Sequence, residues 1–177
     1  DTLSLHDALP ISTSGTERLR NKVHKRKLIE VALPLEAINR ESVRENYIYK
    51  RNPSSIHKWW AQRPLAATRA VLFSQLVDDP SSRPDLYPTE AAQRVERERL
   101  HGIIERLVVW ENATDENLLH EAHIEILKST DDSPPIIFDP FSGGGTIPLE
   151  AQRLGVRGTD VGYAMLAISS GRSSSAC

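Results

Sequence analysis

Apolar residues recur at helical spacing through most of this chain and give way to short continuous apolar runs only near its end. Over Thr89–Trp110 they fall at Val95, Leu100, Ile103, Ile104, Leu107 and Val108, predicting a long amphipathic helix. Thr114-Asp115-Glu116 supplies a hydroxyl cap and first-turn acids for a second helix, carried by Leu118, Leu119, Ala122, Ile126 and Leu127. Upstream, Pro64 opens a helix with Leu65, Thr68, Ala70, Val71, Leu72, Gln75 and Leu76 on its inner face, and Pro34 opens another reaching Asn46. The charge-rich stretch from Glu17 to Ile29 reads as a basic helix, and Asp78 to Pro84 reads as a linker.

The pattern changes at Pro135-Ile136-Ile137-Phe138, a run suited to a buried strand. Asp139-Pro140-Phe141-Ser142-Gly143-Gly144-Gly145-Thr146 follows it, and then Ile147 to Leu154 returns to helical spacing, with Thr146 as the candidate cap and Gly155 as the stop. Val156 to Val161 reads as a second strand carrying Asp160. These elements predict an α/β fold: a truncated Rossmann-like core of two parallel strands and one helix, preceded by a mostly helical region. The division expected is a leader over 1–16, a helical unit over 17–80, a helical insert over 81–131, the core from 132 to 168 and a tail over 169–177. Residues 1–12 resemble the translation of a sequencing adaptor and are set aside from fold reasoning. The chain reads as a fragment.

The glycine loop carries the chemistry. A phosphate-binding P-loop needs Lys-Ser/Thr after its last glycine, and Thr146-Ile147 stands there instead. The dinucleotide fingerprint would put its third glycine at Pro148. A carboxylate at the head of the loop opposes a pyrophosphate and suits a cation. S-adenosylmethionine meets that requirement through its ammonium and sulfonium groups, with Gly143 and Gly145 permitting close backbone approach. Asp160 falls where a second-strand acid takes ribose hydroxyls.

Asp139 to Thr146 resembles the cofactor motif of amino-group DNA methyltransferases, written D-P-F-x-G-x-G-T. Two further blocks, Lys27 to Asn39 and His57 to Ala66 (HKWWAQRPLA), resemble adenine-specific DNA methylases that begin with a domain of unknown function numbered 1156. The resemblance implies S-adenosylmethionine as cofactor, DNA as partner of the intact protein, and Asp139, Pro140, Phe141, Gly143, Gly145, Thr146 and Asp160 as cofactor-binding residues. It also implies a pocket-closing role for His57 to Arg69. From the residues themselves, His57, Lys58, Trp59, Trp60 and Arg63 combine stacking surface with phosphate-seeking charge, while the two tryptophans are equally suited to packing in the core.

Charge is unevenly spread. Residues 17–69 carry thirteen Lys or Arg against five Asp or Glu, whereas residues 70–177 carry nine against seventeen, within a net charge of −2. The basic half suits a phosphate backbone or a solvated surface. The single cysteine, Cys177, gives no material for a disulfide or a thiolate metal site, and the absence of a spanning apolar run predicts a soluble, cytoplasmic protein. His120-Glu121-Ala122-His123 is one residue short of the H-E-x-x-H zinc spacing.

The methyl-accepting motif of these enzymes is Asp/Asn/Ser-Pro-Pro followed by an aromatic. Asp132-Ser133-Pro134-Pro135 has Ile136 in place of the aromatic and leads straight into the first strand. The chain is therefore expected to lack catalytic residues and to be inactive alone. The alternative is a non-catalytic helical module that binds nucleic acid or docks a partner.

Overall fold

The computed structural model describes residues 25–48, 63–141 and 143–160, and of Thr159 and Asp160 only the backbone. Five α-helices dominate these residues: α1 (Leu35–Glu45), α2 (Leu65–Leu76), α3 (Glu90–Val108), α4 (Glu116–Ser129) and α5 (Thr146–Arg153). Among the described residues the strands are β1 (Ile137–Asp139) and β2 (Gly158–Asp160), a parallel pair in which Ile137 faces Gly158 and Asp139 faces Asp160.

This overturns the expected α/β, Rossmann-like class. The described residues are mostly helical, and the one ladder of two three-residue strands among them is no doubly wound sheet. The physical reason lies beside the strand: Pro134 and Pro135 precede β1 and Pro140 follows it. None of the three can donate to a ladder, and among the described residues the apolar run yields three paired positions.

Helix α2 is the hub. Nine of its twelve residues are buried, and it touches α1, α3, α4 and α5. A helix covered on nearly all sides is apolar nearly all round, and Leu65, Ala66, Ala70, Leu72, Phe73 and Leu76 provide that surface. Its first amides, which have no partner within the helix, are met by the carboxylate closing α1: Leu65 N–H donates to Glu45 Oε1 at 3.1 Å and Ala66 N–H to Glu45 Oε2 at 3.2 Å.

Ile103, Ile104 and Leu107 of α3, Ala122 and Ile126 of α4, and Leu154 after α5 complete the same core with Leu28 and Phe73, all fully buried. Helix α3 is capped by Thr89, whose Oγ1 accepts from Ala92 N–H at 3.2 Å. Helix α4 is capped by Asp115 rather than Thr114, its Oδ1 accepting from Asn117 and Leu118. Val95 is exposed, because α3 buries its inner face only from Leu100 onward.

The segment expected as a linker is pinned. Asp78 N–H donates to Ser129 Oγ, and Lys27 Nζ lies 2.6 Å from Asp78 Oδ1. The fully buried Asp79 accepts from Arg97 through both carboxylate oxygens, at 2.8 and 2.9 Å, and from Ser81 N–H. Burial pushes its carboxyl up, but the Arg97 and Ser81 hydrogen bonds outweigh this and hold it below the usual carboxylate range.

Candidate cofactor loop

The loop joins β1 to α5. Asp139 ends β1 and is 9% exposed, with its Oδ1 accepting from Phe141 N–H at 3.1 Å, so the acid shapes the first turn of the loop as well as heading it. Gly143 and Gly145 have φ of +53° and +73°, in the left-handed region that L side chains rarely adopt. A Cβ built on either would meet no atom of the described residues within 4 Å. Among the described residues, then, nothing packs the bend shut.

Gly145 rather than Thr146 occupies the N-cap position. Thr146 is the first helical residue and is 8% exposed, while Gly145 carbonyl accepts from Leu149 N–H at 3.1 Å. Pro140 is exposed and Phe141 is 92% exposed. The ladder sets Asp160 level with Asp139 at the same end of both strands, beside the bend. Six of the seven expected cofactor-binding residues thus lie on one continuous segment, and Asp160 joins them through strand pairing.

Two residue roles were missed by sequence reasoning. The first is Gly158. An ideal Cβ there would stand 2.8 Å from Pro148 Cα and 2.9 Å from Pro148 O, so α5 sits directly on the β2 backbone. The close helix–strand approach that a dinucleotide fingerprint assigns to its third glycine is here permitted from the strand side.

The second is a buried charge cluster. Arg69 of α2 is 1% exposed, and Glu150 of α5 is fully buried. Arg69 Nε donates to Glu150 Oε2 at 2.5 Å, and Arg69 Nη1 donates to the Leu107 carbonyl in the last turn of α3. Arg153 Nη1 takes the other Glu150 oxygen at 2.5 Å. The available signal was spacing: Arg69 lies between Leu65 and Phe73 on a buried face, and Glu150 lies between Ile147 and Leu154 on another.

Of the second expected site, Arg63 is exposed just before α2, and His57, Lys58, Trp59 and Trp60 lie outside the described residues. His123 of the near-zinc motif is half-buried, its Nδ1–H donating to the Leu154 carbonyl at 2.9 Å. It therefore closes the C-terminal end of α5. Asp132 and Ser133, of the incomplete acceptor motif, form the turn that ends α4. There Asp132 N–H donates to the Leu127 carbonyl, and Asp131 and Asp132 take the left-handed conformation that aspartate tolerates. Among the described residues no group of three or more His, Cys, Asp or Glu could hold a metal ion, and no helix is long and apolar enough to cross a membrane.

A family model described as a protein of unknown function (DUF1156) matches residues 32–103, a span that takes in α1, α2 and most of α3. That description carries no activity, and the match ends well before Asp139. No curated protein and no solved structure matches the chain.

Proposed function

We propose that this chain is the N-terminal part of an S-adenosylmethionine-dependent DNA methyltransferase acting on the amino group of adenine. The observation that carries the reading is the bend itself: two left-handed glycines with open space where side chains would be, at the end of a strand closed by Asp139. A backbone bare on that side admits a ligand to van der Waals contact. Asp139 would meet the ammonium of the cofactor's amino-acid end, and the first-turn amides of α5 would meet its carboxylate. Asp160 would take the ribose hydroxyls. Pro140, Phe141 and Thr146 frame the bend.

In the intact enzyme the methyl group would pass from sulfonium to the exocyclic nitrogen of a flipped base, leaving S-adenosylhomocysteine, while the amine sheds one proton. Position and desolvation would supply most of the rate. His57, Lys58, Trp59, Trp60 and Arg63 are the residues proposed to stack on DNA, contact its phosphates or close the pocket. The acceptor motif is absent from this sequence, so the chain binds cofactor without turning it over.

Equilibrium dialysis of the purified chain with radiolabelled S-adenosylmethionine tests this. Saturable binding, competed by S-adenosylhomocysteine and weakened about tenfold or more by Asp139→Ala, is expected, since a lost charge-assisted contact costs at least about 1.4 kcal/mol. Absence of saturable binding by the wild-type chain would refute the reading and favour a helical module without cofactor.

A further inference from the structure

The Arg69–Glu150 pair is an unusual choice for a core. Taking two charges out of water costs as much as their attraction returns, and apolar residues of similar volume are often as stable or more so. What the charged pair adds is direction. The Arg69 fork reaches Glu150 on α5 with Nε and the Leu107 carbonyl on α3 with Nη1, so one side chain fixes three helices relative to one another. Ile147, Ala151 and Leu154 alone would let α5 slide or turn on the core, because apolar contacts are not directional.

Helix α5 has eight residues, and Glu150 lies four residues after its first, so the grip falls one turn from the bend. We propose that Arg69 is a positioning residue for the glycine bend: its guanidinium, through Glu150, sets where α5 begins and so where Gly143 and Gly145 present their backbone. This deepens the cofactor reading above and rests on it for the ligand. It gives the family-matched segment, which contains Arg69, a task at a loop outside its own span.

The test compares the full chain with Arg69→Met, Arg69→Met/Glu150→Met and Arg69→Lys. Three quantities are read: the thermal midpoint, exchange of the Leu149 amide that donates to Gly145, and S-adenosylmethionine binding. The single Arg69→Met variant should lose several degrees of midpoint, and the double variant should recover most of it. In the double variant Leu149 should still exchange at least tenfold faster than wild type while Ile104 of α3 stays unchanged, and cofactor should bind at least tenfold more weakly. Arg69→Lys, which keeps the charge and loses the fork, should fall between.

A double variant with wild-type exchange at Leu149, or with Leu149 and Ile104 altered together, would overturn the proposal and leave the pair a packing feature. Should the methionine variants fail to fold, Glu150→Gln preserves shape and one acceptor, and the same Leu149-to-Ile104 comparison decides. If wild type itself binds no S-adenosylmethionine, the cofactor reading falls while the exchange ratio still settles the positioning role.

Discussion

Replacing Gly158 by alanine probes the contact that seats the loop helix on its strand. The added Cβ would lie 2.8 Å from Pro148 Cα, 2.9 Å from Pro148 O and 3.2 Å from Ala151 Cβ. Two of these atoms are backbone, so no side-chain rotation relieves the overlap. Either β2 or α5 must retreat by roughly 0.5–1 Å to restore ordinary van der Waals separation. Overpacking of this kind costs about 1–3 kcal/mol. Loss of glycine's freedom in the unfolded chain returns about 0.5–1 kcal/mol. The difference runs from about zero to about 2.5 kcal/mol and centres near 1 kcal/mol, which corresponds to roughly 2–4 °C in the midpoint of a chain this size.

Gly102→Ala is the matched control. Gly102 lies inside α3, and a Cβ there meets nothing within 4 Å. Alanine should raise stability by about 0.5–1 kcal/mol. Thermal melts followed by far-ultraviolet circular dichroism should therefore move in opposite directions for the same chemical change. If Gly158→Ala melts at or above wild type, α5 does not rest on β2 as described, and the alignment of Asp139 with Asp160 loses its support.

Two further outcomes follow from the caps and the buried acid. Asp115→Ala removes the acceptor for Asn117 and Leu118 amides and should cost about 1 kcal/mol in urea denaturation, whereas Thr114→Ala should change little. Asp79 has a folded pKa below its unfolded value of about 3.9, so its stabilisation is complete above that pH and is lost as pH falls through the lower folded value. Asp79→Asn should accordingly be less stable than wild type at pH 7, with the gap narrowing on acidification, and a gap that stays constant or widens would contradict the Arg97 contact.

Local structure was legible where one helix carries its own instructions. The spacing from Leu100 to Val108 marks α3, and the Gly143-Gly144-Gly145 bend was readable because glycine enters the left-handed conformation found at Gly143 and Gly145 at no steric cost. The fold class was misread because a strand–loop–helix signature says nothing about how many strands accompany it. Here flanking prolines confine β1 to three residues, and the apolar helical faces make the core.

Arg69 and Glu150, 81 residues apart, were illegible as a pair. Each showed only as a charge at a helical core position, and no local rule says which buried cation meets which buried anion. Gly158 was overlooked for a similar reason: its constraint comes from Pro148 across a tertiary contact.

Backbone amide shifts on titration with S-adenosylmethionine report whether the glycine bend holds the cofactor. Saturable perturbations are expected at Gly143, Gly144, Gly145 and Thr146, extending to Asp139 and Asp160, with α3 and α4 unaffected. Saturable binding whose perturbations fall elsewhere, or a bend whose amides never move, would contradict that placement.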